Sequence, residues 1–448
     1  MEISRRAYLK SQVCRWDFLP LELTDEDLIH CAYLLFEHVL NHPELEALRV
    51  PEDDLYQFLF DIYNSYHSKN PYHNFRHAVD VLQATYYFLC RIGATTPIDS
   101  DPTLSYQQPV HTLLRPLNVF ALLLASIGHD VGHPGVNNMF MVNTATPLAI
   151  LYNDRSVLES FHSMAFYHIL QQHCFSQITD IRNHPEYASF RSIIVSSILA
   201  TDMSLHDEYV QKIRDQAERI RTNEFNPNDE VQCERERLIL CGALIKCADI
   251  SNCARPFSSA KRWAQYLAEE FFQQGDLEKE LGLSVMPMNE RGKLRLEDFQ
   301  LSFKRHIALK LFQAVSDVTK EMSFTLDYIN ENINYWEIMK NDSGLGGEME
   351  PLEKSNPYRA DAKETSEPDP ASRISINSRD QEHLDSRPSS QLNASYFLAA
   401  SYHHSQSMED KSELHRSSKL RHRERHHHRY QRRGWNDKIA TACQCIVQ

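Results

Sequence analysis

Phe120-Ala-Leu-Leu-Leu-Ala-Ser-Ile-Gly-His129-Asp130-Val-Gly132-His133-Pro134-Gly135-Val-Asn-Asn138 is the stretch that decides how this chain is read. Its first half is an unbroken apolar run with the character of a buried helix. Gly132, Pro134 and Gly135 end that helix where His129, Asp130 and His133 stand. Imidazole and carboxylate are costly to bury without a partner, and a metal ion suits both. On its own the stretch reads equally well as a helix end with solvated polar residues.

Helical patterns continue on either side. Thr24-Asp25-Glu26-Asp27 resembles a capping box, and Pro51-Glu52-Asp53-Asp54 opens a second helix with Leu55, Phe58, Leu59 and Ile62 on its inner face. Asn70 to His77 is a turn running into a third helix, and 93–113 is a polar surface loop. Further helices are expected at 156–172, 190–201, 206–221, 235–249, 258–273 and 299–336, with a short strand pair conceivable only near 281–295. The fold class is all-α: a compact multi-helix domain over 24–340, preceded by an N-terminal extension, 1–23. From 341 to 438 the chain is polar with few aliphatic clusters and is expected to be disordered; a basic, His-rich run occupies 415–433.

Composition excludes several classes. With 448 residues and 42% hydrophobic content there is material for a sizeable core, and a net charge of −14 argues against a protein that coats nucleic acid. The longest apolar runs are about half the ~20 residues needed to span a bilayer. The first 19 residues are broken by Arg5, Arg6, Lys10, Arg15 and Asp17 and do not resemble a secretory signal. Ten scattered cysteines read mostly as small core residues in a reducing compartment.

Other segments supply what a metal at His129 and Asp130 would need. His73 and His77 stand four apart, and on a helix would face the same way. Asp249 follows the apolar stretch 238–248, and Glu159 lies just inside another helix. Two histidines, two aspartates and an outlying glutamate are more oxygen-rich than structural zinc favours, and leave coordination positions for water. Such an open site points to hydrolysis.

The residues Tyr72-His73-Asn74-x-x-His77, His129-Asp130-x-x-His133-Pro134-Gly135-x-x-Asn138, Leu151-Tyr152-Asn153-x-x-Ser156-Val157-Leu158-Glu159, Ala200-Thr201-Asp202-Met203, Lys246-Cys247-Ala248-Asp249-Ile250-Ser251-Asn252 and Glu270 to Asp276 together resemble the class I cyclic-nucleotide phosphodiesterases, an HD-type metallohydrolase fold. The resemblance runs from about residue 23 to 336, and 72–83 and 128–138 look most similar to the fungal high-affinity cAMP branch. It implies that His77, His129, Asp130 and Asp249 bind Zn2+. It further implies that Asp130 bridges to a second ion, Mg2+ or Mn2+, held through waters oriented by His133, Glu159 and Thr201. His73 would be the general acid. Gln300 would hydrogen-bond the purine, Phe303 and Leu267 would clamp it, Asn252 would sit at the far end of the base pocket and Tyr72 near the phosphate. The implied reaction is hydrolysis of the 3′ ester of cAMP, favoured over cGMP, by a hydroxide activated between the two metals. A freely rotating glutamine would serve adenine or guanine equally.

Two positions depart from the family pattern: Gly132, where an aspartate is common, and Cys253, where proline is frequent. The alternatives to a phosphodiesterase are an HD-type phosphohydrolase of another nucleotide and an inactive, membrane-tethered cyclic-nucleotide binder. A homodimer is left open. The last residues, Cys445-Ile446-Val447-Gln448, fit a prenylation signal, with Cys443 as a candidate palmitoylation site and the basic run as a second membrane signal. The expectation is a cytoplasmic enzyme peripheral on the cytosolic (inner) face of a membrane.

Overall fold

The first helix (Ile3–Val13, α1) forms in a segment whose charges set it apart in the sequence. Arg5 pairs with Asp27 and Arg6 with Glu37 on the next helix, which leaves Leu9 and Val13 to enter the core. The segment expected to be an extension therefore packs with the rest. A computed structural model describes residues 1–99, 113–182 and 184–342. The basic run and the terminal Cys443 and Cys445 lie outside the described residues, as does most of the loop expected at 93–113.

After α1 come α2 (Asp25–Leu40), α3 (Glu52–Ser65), α4 (Phe75–Arg91) and α5 (Pro116–Gly128). Two short helices, α6 (Asn138–Asn143) and α7 (Pro147–Leu151), lead to α8 (Val157–Gln172), α9 (Tyr187–Ala200), α10 (His206–Arg221) and α11 (Glu230–Asp249). Then follow α12 (Phe257–Glu280), α13 (Leu296–Phe303), α14 (Leu309–Val318) and α15 (Phe324–Asp342). The described residues contain no strand, and none of their helices is long and apolar enough to cross a membrane.

Thr24 and Asp27 form a reciprocal capping box at the start of α2. The strand pair conceivable at 281–295 does not form. Gly282 and Gly292 hold left-handed backbone, and Pro287 opens a single 3-10 turn where a ladder would need a donor. The pattern read as one helix over 299–336 is broken by a π-helical turn at Lys304–Ala308 and by extended backbone at Thr319.

Helix α5, the apolar run of the opening stretch, is buried from Asn118 to Gly128 and packs against α2, α4, α8, α9 and α11. A helix enclosed on all sides has to be apolar all round. Gly128 lets α8 approach, since a Cβ there would stand 2.2 Å from the Phe166 ring. The junction between α11 and α12 is clamped by the fully buried Arg255. It pairs with Asp80 at 2.9 Å, donates to Gln83 Oε1 and the Trp16 carbonyl, and lies 4.1 Å over the Trp16 ring. From α15, Asn332 Nδ2 donates to the carbonyls of Cys253 and Arg255.

Candidate active site

Helix ends build the site. His129 caps the C-terminus of α5, Asp130 follows it, Asp249 ends α11 and Thr201 caps the C-terminus of α9. His77 and Glu159 come from the first turns of α4 and α8. The C-terminal ends of helices carry partial negative charge and favour a cation. Lys246 ties α11 to the end of α9 by donating to the carbonyls of Ala200 and Asp202. Ser156 Oγ, in left-handed backbone before α8, donates to Asp202 at 2.6 Å.

His77, His129, Asp130 and Asp249 meet. His77 Nε2 lies 3.2 Å from Asp249 Oδ1 and 3.6 Å from Asp130 Oδ2, and His129 Nε2 lies 3.4 Å and 3.1 Å from the same two atoms. Burial opposes the charge on both aspartates, but the imidazoles beside them, His129 foremost, hold both carboxyls below their ordinary range. His129 Nδ1 faces the Ser126 carbonyl at 2.9 Å, so one proton sits there; burial opposes a second, but Asp130 and Asp249 raise the pKa well above its ordinary value, and a cation at Nε2 would take that proton's place. His129 Nε2 and Asp130 Oδ2 are buried with no hydrogen-bond partner. Buried polar groups are rarely left so unless a bound ion or water satisfies them. The donor set therefore fits a metal ion.

A third histidine extends the cluster. His162, on α8 three residues beyond Glu159, has Nδ1 on the Val131 carbonyl at 2.8 Å and a buried, unpartnered Nε2, 3.7 Å from Asp130 Oδ1. Its ligand atom and those of Asp130 and His133 lie within 4.8 Å of one another. Burial presses the His162 pKa down to about 4, so its lone pair is available. His133 is also held neutral, by burial and by the charge of His73. Its Nδ1 accepts from Gly135 N–H, so the proton sits on Nε2 and this ring offers a donor rather than a ligand. Glu159 accepts from Asn138 Nδ2 on both oxygens, at 3.1 and 3.0 Å; burial and the nearby Asp202 raise its pKa to about 7. Thr201 is buried, and its hydroxyl donates to the Ile198 carbonyl.

His73 does not share a helix with His77. Asn74 intervenes as the N-cap of α4, accepting from the N–H groups of Arg76 and His77, so His73 lies in the turn before it. The two rings stand 5.7 Å apart and nearly perpendicular. His73 Nδ1–H donates to Glu270 Oε1, while Glu270 Oε2 accepts from the N–H groups of Tyr72 and His73, at 2.9 Å each. Burial works against the His73 charge, yet the Glu270 carboxylate raises its pKa to about 9. Glu270 itself is held down at about 2: burial opposes this, and the His73 charge overcomes it. His73 also stacks on His133 with ring centroids 4.0 Å apart.

Tyr72 is buried, its ring 4.6 Å from that of His77 and 5.5 Å from that of Trp263. Asn252 Nδ2 donates to the Tyr72 hydroxyl at 2.6 Å. That contact brings the two residues together, where the sequence reading set them at opposite ends of the substrate. Leu267 and Phe303 lie on α12 and α13, which pack on each other, and each is half-buried. Gln300 is buried on α13. Gly132 has φ +76°, a conformation glycine enters freely and aspartate only at some cost, and its N–H donates to the Ser65 carbonyl. With no side chain at Gly132, His133 is fixed by Gly135, by the His73 stack and by Asn70, which donates to its carbonyl.

Three residues in the site had no role assigned from the sequence: His162, Glu270 and Lys304. His162 was within reach, because Glu159 and His162 are three apart and share a helix face. Lys304 likewise follows Gln300 by four. The partnership of Glu270 with His73 spans 197 residues, and no local pattern signals it.

A family model described as 3′5′-cyclic nucleotide phosphodiesterase matches residues 72–329. The chain is 33% identical over 329 residues to the 3′,5′-cyclic-nucleotide phosphodiesterase regA of Dictyostelium discoideum, covering 73% of this chain and 38% of that protein. It is 33% identical over 335 residues to the human high affinity cAMP-specific and IBMX-insensitive 3′,5′-cyclic phosphodiesterase 8A, covering 72% and 38%. The chain thus spans well under half the length of these relatives. The crystal structure of yeast caPDE2 superposes with a TM-score of 0.63 at 33% identity, covering 76% of this chain and 69% of that one. The phosphodiesterase domain of the RhoPDE fusion protein from Salpingoeca rosetta gives 0.64 at 28%, covering 76% and 99%. Amoebal, human and yeast proteins stand at equal identity, so identity singles out no fungal branch. Matched over more than half its length, the chain belongs to the 3′,5′-cyclic nucleotide phosphodiesterase family.

Proposed function

We propose that this protein hydrolyses the 3′ phosphoester of a cyclic purine nucleotide to the 5′-monophosphate, with cAMP favoured over cGMP. The observation that carries this reading is the set of buried, unpartnered ligand atoms, His129 Nε2, Asp130 Oδ2 and His162 Nε2, beside a charged His73–Glu270 pair. The preference for cAMP is supported by the names of two relatives: the human 8A protein is called cAMP-specific, and the rat 4C protein is called a 3′,5′-cyclic-AMP phosphodiesterase.

His77, His129, Asp130 and Asp249 would hold Zn2+, whose usual ligands are imidazole and carboxylate. Asp130 would share a second, harder ion such as Mg2+ or Mn2+. Bound there, the two ions supply phosphate charge neutralisation and a nucleophilic water at neutral pH. His133 Nε2–H and the side chains of Glu159 and Thr201 would orient water around such ions, and His162 would join that group. His73, protonated across the neutral range by Glu270, delivers its Nε2 proton to the departing 3′ oxygen. Its Nε2 has no partner among the described residues and is free for that task. Phe303 and Leu267 bracket the base and Gln300 reads its edge.

The test is turnover of cAMP and cGMP by the purified full chain, with the Asp130→Ala variant as control. Formation of 5′-monophosphate by the wild type, lost in a variant that keeps its helical circular dichroism, supports the reading. Turnover retained by Asp130→Ala refutes it.

A further inference from the structure

Helix α9 ends on carbonyls that its own amides cannot satisfy, as every helix does, and the way they are met here bears on Thr201. The Ile198 carbonyl accepts from the Thr201 N–H and hydroxyl, and the Leu199 carbonyl from the Asp202 N–H. The Ala200 carbonyl takes its donor from another helix: Lys246 Nζ, on α11, at 2.9 Å. The same ammonium donates to the Asp202 carbonyl at 3.1 Å and lies 3.8 Å from Met203 Sδ. Two of its three donors are thus held by the residues on either side of Thr201.

The surroundings of Lys246 make this a costly arrangement. The residue is 0% exposed and has no carboxylate within ion-pairing distance among the described residues. Burying an ammonium on two carbonyls and a thioether costs more than an apolar side chain of the same length would. Packing alone therefore does not ask for lysine. Charge does not ask for it either: Asp249, Asp202 and Glu159 are near enough to act on the ammonium, and a dication held beside them would be repelled by it. What remains is geometry. Asp202 carries the tie to a third helix, since its carboxylate accepts from Ser156 Oγ at 2.6 Å, just ahead of Glu159. Asn153, Asp154 and Ser156, which lead into that helix, all hold left-handed backbone, so the tether fixes a strained entry to α8.

We propose that Lys246 is a positioning residue for the second ion: by pinning the backbone on both sides of Thr201, it holds the ends of α9 and α11 and the start of α8 at the spacing that ion requires. The inference rests on the two-metal reading above. Without the ammonium, two buried carbonyls lose their donor and the end of α9 shifts to find others. The water-orienting groups then move apart, and the ion binds more weakly although a repelling charge has gone.

The experiment measures Mn2+ binding to the zinc-loaded full chain, by the paramagnetic resonance of the free ion, in the wild type and in Lys246→Met, Lys246→Asn and Lys246→Gln. Methionine keeps the length without a donor, and asparagine keeps donors that fall short of the carbonyls. Either should weaken Mn2+ binding by about tenfold or more with zinc content unchanged. Glutamine brings two N–H groups near the same carbonyls without a charge and should bind within about threefold of the wild type. In a Thr201→Val background the Lys246→Met change should cost less than about threefold more. Unchanged or tighter Mn2+ binding in a folded Met or Asn variant overturns the inference, because the lysine then serves stability or only repels. An equal loss in the Gln variant, loss of zinc together with Mn2+, a full further loss in the Thr201→Val background, or failure of both the Met and Asn variants to fold overturns it too. A wild-type chain that binds no Mn2+ and turns over no cyclic nucleotide overturns the two-metal reading and this inference with it.

Discussion

Replacing Glu270 by glutamine removes a charge and keeps the shape. The carboxylate is the main reason that the His73 pKa stands at about 9 against an ordinary value near 6.5. In Glu270→Gln one amide must face both the two backbone N–H groups and His73 Nδ1. With its oxygen kept on the N–H pair, its NH2 group faces Nδ1 and disfavours the imidazolium. Burial, no longer opposed, then returns the His73 pKa to about 6.5 or below. The sign follows directly. The acid form works, so activity is lost as pH rises through the folded-state pKa, and the variant loses it at lower pH. At pH 8 the protonated fraction drops from about 90% to about 3%, a fall of roughly 30-fold in kcat/KM, whereas at pH 6 the two proteins differ by less than about twofold. Cations at Asp130 and Asp249 cancel the smaller share those carboxylates give His73, which lowers the alkaline limb of both proteins alike and leaves their separation. The assay is a pH profile of kcat/KM between 5.5 and 9.5. A uniform loss at every pH, with the alkaline limb unmoved, would show that Glu270 serves structure alone.

Three further outcomes follow from the geometry. Arg255→Met strands the buried Asp80 carboxylate and should cost about 3–5 kcal/mol in urea unfolding, while adding Asp80→Asn recovers part of it; a loss below about 1 kcal/mol contradicts the clamp. His162→Ala should raise the concentration of divalent cation needed for half-maximal activity by roughly 10–100-fold without unfolding the protein. A cation titration that superposes on the wild type would exclude His162 from the site. Gly132→Asp puts a Cβ into left-handed backbone, which aspartate enters at less cost than most residues, and should destabilise the fold by up to about 1 kcal/mol, measured as a shift in the melting temperature; a more stable variant would show that the family aspartate is tolerated here.

The legible parts of the site were those written in local pattern. His129 and Asp130 end an apolar run, and Asp249 ends another, so a periodic reading places them at helix termini. Their convergence then rests on α9 and α11 packing against α5. The spacing of His73 and His77 was legible too, and 70–77 reads as a turn into a helix; that His73 falls just outside that helix depends on Asn74 acting as its cap. α1 stayed hidden because its arginines broke the apolar pattern, and only the acids of α2 show where those charges go. The π-helical turn after Phe303 is a backbone choice that no residue type announces, yet it carries Lys304. Pairings across long stretches of sequence, Glu270 with His73 and Arg255 with Asp80 and Trp16, need the tertiary fold before they mean anything.

The central claim is that His77, His129, Asp130 and Asp249, with His162 beside them, hold metal for hydrolysis of a cyclic nucleotide. Its most direct test is product analysis of cAMP incubated with the metal-stripped full chain, before and after Zn2+ and Mg2+ are restored. The account predicts no turnover from the stripped protein and, on restoration, 5′-AMP with no 3′-AMP. Turnover that survives stripping, or 3′-AMP as the product, would contradict it.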